Sequence, residues 1–149
     1  MAKICYNILV CKQNHSTKTL PYYNTICKDI VRDGNDFLFI SGFDKFDDIP
    51  VLKLSNKDDY NNQIDKTLHP FCHFYYGKTD CDWVYVGDDD TFINTVNLNS
   101  IINQLDKEIS KEDLAVYGNI CAGWIPPGWG KINIAEKNNL VLHPHGGCG

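Results

Sequence analysis

The stretch Trp83-Val84-Tyr85-Val86-Gly87-Asp88-Asp89-Asp90-Thr91-Phe92 constrains the fold of this chain more than any other. An apolar, β-branched run of this length reads as a buried strand, and it empties directly into three consecutive carboxylates. Three adjacent carboxylates repel one another, so a core cannot hold them uncompensated. A solvated acidic turn is the plain alternative for such a triplet. At the end of a buried strand the triplet instead invites a cation, because ligand sites in open α/β sheets lie beyond the carboxyl ends of the strands. Oxygen donors of this kind suit Mg²⁺, Mn²⁺ or Ca²⁺. A calcium loop of the EF-hand type is excluded, since counting from Asp88 puts Phe92, Ile93 and Asn99 at its fifth, sixth and twelfth positions.

Around this motif the chain alternates strands and helices. Ile4–Val10, Phe37–Ile40, Val51–Leu54, Trp83–Val86, Leu114–Tyr117 and Leu140–Leu142 read as strands. A polar loop, Lys12–Lys18, follows the first of them. Leu20, Tyr23, Ile26, Cys27, Ile30 and Val31 recur at helical spacing, and Asp33-Gly34-Asn35 supplies the stop. Ile64, Leu68, Phe71, Cys72 and Tyr75 mark a second helix face, interrupted near Pro70. Leu98, Ile101, Ile102 and Leu105 mark a third. This order predicts an α/β fold, a Rossmann-type α/β/α sandwich with a mostly parallel sheet. With 149 residues and no evident linker, one domain over 1–149 is expected.

Composition narrows the function classes. A net charge of -5 disfavours a general nucleic-acid or anionic-membrane surface. No run of about 18 apolar residues exists to span a membrane. Met1-Ala2-Lys3 leads straight into the first strand, with no room for a signal peptide, and a cytoplasmic location is expected. The seven scattered cysteines suit reduced thiols better than a disulfide framework. Cys72-His73 and His143-x-His145-x-x-Cys148 contain zinc-type ligands without paired spacing, so core cysteines and loop histidines are the default.

Trp83 through Leu98 resembles the aspartate motif of the fringe-like and β1,3-galactosyltransferase families, and Pro144-His145-Gly146-Gly147-Cys148-Gly149 resembles their Gly-Gly-Ala-Gly turn. Asn7–Cys11 and Phe37–Gly42 are similar to the first two strands of that family. The resemblance implies an inverting, metal-dependent hexosyltransferase of the GT-A fold, with a UDP-sugar donor, Mn²⁺ or Mg²⁺ as cofactor, and a glycan or glycoprotein acceptor. Asp90 then maps to the metal ligand, with Asp88 beside it, and Asp88, Asp89 and Asp90 together to the nucleotide-sugar site. The family's general base and late metal-binding histidine lie downstream of the Gly-rich turn, and this sequence stops at Gly149 inside it. The resemblance thus covers the donor-binding part, C-terminally truncated, and the isolated chain is expected to transfer little sugar. His143 or His145 could substitute as a ligand, and Asp44, Asp47 and Asp48 are the first place to seek a base inside the chain. Trp124 and Trp129, among Gly and Pro, fit an acceptor wall or a loop plug equally. Two other readings compete: a catalytically inactive nucleotide-sugar-binding or interaction module, and a metal-dependent phosphohydrolase that uses the same carboxylates.

Overall fold

The structure is a computed structural model and describes residues 2–42, 49, 51–54, 69–73, 76–77, 79–109, 120–122 and 142–144. The chain forms two compact units, Met1–Glu108 and Ile109–Gly149. The expected fold class is the observed one: the first unit is an α/β unit built on a four-stranded, wholly parallel sheet. Its strands are β1 (Ile4–Leu9), β2 (Asp36–Ser41), β3 (Val51–Lys53) and β4 (Trp83–Asp88), in the order β3-β2-β1-β4.

Central position explains the composition of β1. All six of its residues are buried, so both faces are covered, as expected for an inner parallel strand. Ile4, Tyr6, Ile8 and Val10 face one core with Phe39, Tyr22, Ile26, Cys27, Ile30, Ile93 and Ile102. Burying each large aliphatic side chain there contributes roughly 1.5–3 kcal/mol. Cys5, Asn7 and Leu9, at alternate positions, are buried on the opposite face.

Between β1 and β2 the chain is helical almost throughout. A 3-10 turn (Lys12–Asn14) leads into a π turn (His15–Thr19), then α1 (Leu20–Asn24) and α2 (Ile26–Arg32). The expected polar loop is therefore wrong over Lys12–Lys18. The two turns, Lys12–Asn14 and His15–Thr19, bury only Thr19, so they have no apolar period to betray their winding. Pro21 sits in the first turn of α1, where its missing N–H is tolerated. Thr25 then breaks the expected single helix: its hydroxyl donates back to the Pro21 carbonyl at 2.7 Å, and its backbone leaves the helical region. Leu20 and Val31, expected on the inner face, are 40% and 57% exposed, and Tyr22 is buried instead. The predicted stop at Asp33-Gly34-Asn35 is a Schellman motif. Gly34 has φ 80°, its N–H bonds the Val31 carbonyl at 3.0 Å, and the Asn35 N–H bonds the Ile30 carbonyl at 3.1 Å.

After β4, Asn94 caps α3 (Thr95–Glu108) by accepting the Asn97 N–H at 3.0 Å. Leu98, Ile102 and Leu105 pack on the core, whereas Ile101, expected beside them, is 54% exposed. An amide network ties this layer to the start of the sheet. Asn35 accepts the Ile4 N–H at 2.9 Å and donates to Asn99 at 3.0 Å, and Asn103 accepts the Ala2 N–H at 3.0 Å.

Residues 69–73 are helical, with Pro70 buried, while the rest of the expected Ile64–Tyr75 face lies largely outside the described residues. In the second unit, Ile120–Ala122 and Leu142–Pro144 form an antiparallel pair, β5 and β6. Leu142 of the expected Leu140–Leu142 strand lies in β6, and Leu140 and Val141 lie outside the described residues. Leu114–Tyr117, Trp124, Trp129, His145, Cys148 and the loop holding Asp44, Asp47 and Asp48 lie outside the described residues. Among the described residues, no helix is long and apolar enough to cross a membrane. Cys5, Cys11, Cys27, Cys72 and Cys81 are free thiols.

Candidate functional site

The strand order places the aspartates where an α/β sheet opens. From β1 the chain proceeds to β2 and β3 on one side, then returns to the other side of β1 for β4. The carboxyl ends of β1 and β4 therefore flank the point at which the order reverses, the usual crevice for a ligand in such sheets. The last register pair is Leu9 with Asp88. Beyond it the strands diverge: the Val10 N–H turns to the Ile40 carbonyl at 2.9 Å, and the Asp89 N–H bonds the Leu9 carbonyl at 3.3 Å. A tight turn, with the Thr91 N–H on the Asp88 carbonyl at 3.1 Å, then presents the three carboxylates.

The three carboxylates have different surroundings. Asp89 is buried, and the fully buried Thr19 hydroxyl donates to its Oδ2 at 2.5 Å. Burial pushes the Asp89 carboxyl above the usual carboxylate value, and the Thr19 hydrogen bond opposes that rise. Asp90 is half-exposed and carries the Lys18 ammonium on Oδ2 at 2.7 Å. Asp88 is pushed up by desolvation and then by the neighbouring charge of Asp90, with Lys18 drawing it back. No described residue donates a hydrogen bond to the Asp88 carboxylate. Among the described residues, Lys18 is the one ammonium that meets these three carboxylates.

Lys18 and Thr19 were not predicted from sequence. They lie on the π turn, about 70 residues before their partners in the chain, and form two consecutive rungs, Thr19 to Asp89 and Lys18 to Asp90. A π turn interrupting helical segments near a strand end is a common mark of a functional position. Beside these rungs runs a cleft of about 490 Å³, lined by Lys18, Tyr22, Ile26, Asp89, Asp90 and Phe92 among others. Phe92 offers an aromatic face that is 81% exposed. Beneath the carboxylates, Tyr85 stacks obliquely on Tyr6 at 5.4 Å and folds along its own strand. A Cβ at Gly87 would meet the Tyr85 hydroxyl at 2.5 Å, so the glycine is what admits this ring.

The carboxylates of Asp88, Asp89 and Asp90 supply hard oxygen donors with uncompensated charge, which suits Mn²⁺ or Mg²⁺. They do not converge as they stand. Among the described residues, the only three metal-type donors within 4.8 Å of one another are Asp36, Asp80 and Cys81, at the amino edge of the sheet. That edge already has its cation: Lys3 Nζ lies 2.8 Å from Asp36 and 2.9 Å from Asp80. Its ammonium is stabilised first by Asp36 and then by Asp80, which raises its pKa. His143 lies in β6, in the second unit.

In comparisons with known proteins, the chain matches no family model, no curated protein and no solved structure.

Proposed function

We propose that the first unit is the donor-binding part of a metal-dependent, fringe-like glycosyltransferase, which takes a UDP-sugar at the carboxyl ends of β1 and β4. The observation that supports this reading best is the strand-end triplet Asp88-Asp89-Asp90 at the reversal of strand order, where, among the described residues, Lys18 alone offsets its charge. Asp90, with Asp88, would hold Mn²⁺ or Mg²⁺, and Asp89 would keep the turn in place through Thr19. A divalent ion there supplies Lewis-acid stabilisation of the charge that develops on a departing diphosphate. The half-exposed Lys18 reaches the same charge from the protein side, and the Phe92 face and the adjoining cleft suit a planar ring. Transfer with inversion to a glycan or protein-linked acceptor belongs to the same proposal and requires a general base within hydrogen-bond reach of the acceptor hydroxyl.

Asp90→Asn tests the assignment. The amide keeps the shape but loses the charge that would hold a cation. Repulsion of Asp88 falls while the Lys18 pair is lost, so the melting temperature should move little. Metal-dependent UDP binding should disappear. Normal UDP affinity in this variant, at the same metal concentration, would remove Asp90 from the site and with it the proposed role of the triplet.

A further inference from the structure

Two thiols and two carboxylates meet at the amino edge of the sheet, at the opposite end of the strands from the aspartate turn. β1 supplies Cys5, which is buried on the face away from the main core. Its register partner on β2 is Asp36, so the two side chains leave the sheet on the same side. The segment that enters β4 supplies Asp80 and Cys81. That segment is pinned to β1: the Asp82 and Trp83 N–H groups bond the Lys3 carbonyl at 2.9 and 3.1 Å, and the Lys3 N–H bonds Asp82 Oδ2 at 3.0 Å. The result is convergence. A carboxylate oxygen of Asp36, one of Asp80 and the Cys81 sulfur all lie within 4.8 Å of one another. The Cys5 and Cys81 thiols are in hydrogen-bond contact, which brings a second sulfur to the same point.

We propose that Cys5, Cys81, Asp36 and Asp80 form a structural binding site for Zn²⁺. Thiolates select zinc over hard ions such as Mg²⁺, and four protein donors close its tetrahedral shell. Lys3 does not stand in the way. The ion enters in exchange for the thiol protons: the two S–H bonds break, two Zn–S bonds form, and both protons pass to solvent. Two positive charges arrive and two leave, so the net charge of the cluster is unchanged and the Lys3 ammonium keeps its carboxylate partners. A carboxylate can serve both cations, having two oxygens and about four lone-pair positions. Lys3 engages Asp36 through Oδ2, which leaves Oδ1 for the ion. Asp36 and Asp80 are exposed and Cys81 is partly so, which gives the ion a path in from solvent, while the buried Cys5 forms the floor. Once bound, the ion clamps β1, β2 and the start of β4 together. The inference is independent of the donor-binding reading, which concerns the other end of these strands.

Titration of the full chain with Co²⁺, in the presence of a phosphine reductant, tests it. Tetrahedral Co²⁺ on thiolates gives a sulfur-to-metal charge-transfer band and strong visible d–d bands, and an all-oxygen site such as the aspartate turn gives no such charge transfer. Co²⁺ should produce both features, and Zn²⁺ should displace it and remove them. Cys5→Ser and Cys81→Ser should each weaken Co²⁺ binding by at least about tenfold, the smallest loss expected even for a group that only supports a ligand. Cys72→Ser, which changes an exposed thiol outside the cluster, should leave the spectrum as it is. On the unmodified chain, Zn²⁺ should slow hydrogen exchange at the Asp82 and Trp83 amides by at least about fivefold, because the clamp holds their bonds to the Lys3 carbonyl closed. That measurement needs no variant, so it decides the matter even where a serine variant misfolds. A chain without the charge-transfer band, a band that persists in both serine variants, or exchange at Asp82 and Trp83 indifferent to Zn²⁺ would each overturn the site and leave the donor-binding reading untouched.

Discussion

Thr19→Val isolates the contact that holds the aspartate turn against the helical layer. Valine keeps the volume and β-branching of threonine and removes only the hydroxyl, so packing at this fully buried position is retained. What is lost is a 2.5 Å hydrogen bond to a buried carboxylate. Hydrogen bonds to charged groups contribute about 1.5–3 kcal/mol, and a buried acceptor left unpaired adds its own desolvation cost. The expected destabilisation near neutral pH is therefore about 2–3 kcal/mol, or roughly 8–20 °C in melting temperature for a unit of about this size. The pH dependence has a definite sign. Burial raises Asp89 in the folded state, so native-state stability falls as pH rises through the ordinary carboxylate range toward that raised value. Without Thr19 the carboxyl is raised further, and the fall becomes steeper. The gap between variant and parent should thus narrow as pH falls and Asp89 takes up its proton, because a protonated carboxyl no longer needs a charge-stabilising donor. Urea titrations followed by far-UV circular dichroism across this range would measure it. A loss below about 0.5 kcal/mol that does not vary with pH would refute the claim that this rung anchors a buried, ionised carboxylate.

Three further outcomes follow from the same structure. Gly87→Ala should cost about 1–3 kcal/mol in the same titration, because its Cβ would lie 2.5 Å from the Tyr85 hydroxyl and 2.7 Å from its ring; loss of the strain in Gly87→Ala/Tyr85→Leu would identify the cause. Asn35→Ala should cost about 1–3 kcal/mol by leaving the buried Ile4 N–H unpaired and cutting the link to Asn99, and hydrogen exchange at Ile4 should rise with it. Asp88→Asn should raise the melting temperature at neutral pH without added metal, since the folded-state carboxyl is raised by desolvation and by Asp90, and this gain should vanish as pH falls below the ordinary carboxylate value.

Much of the sheet was legible because inner parallel strands need apolar residues on both faces. Ile4–Leu9 is such a run, buried throughout; Trp83–Val86 is also apolar, but it forms the outer strand of the described sheet and is half-buried rather than buried as expected. The end of α2 was equally plain, because only a glycine takes φ 80° without strain at that position. The aspartates were visible as a triplet, and their location at the end of a strand followed from the run before them. Their partners were not visible. Lys18 and Thr19 are bound to the site by polar contacts across the sheet, and such contacts leave no periodicity in the chain. The break at Thr25 was hidden for a similar reason: a hydroxyl folding back onto the Pro21 carbonyl competes with a helix that the apolar spacing favours. Helix faces were misjudged at Leu20, Val31 and Ile101: Val31 and Ile101 stand one position from the buried Ile30 and Ile102, and Leu20 two from the buried Tyr22. An apolar residue beside the stripe satisfies the period as well as one on it, and only the neighbouring layer decides between them.

Calorimetric titration of UDP into the chain, with Mn²⁺ and again with EDTA, tests the central claim most directly. The arrangement of Asp88, Asp89 and Asp90 at the end of β4 predicts saturable binding with Mn²⁺ and its loss in EDTA, because the nucleotide's diphosphate would otherwise approach a cluster of carboxylates. Equal affinity in EDTA, or no binding in either condition, would contradict it.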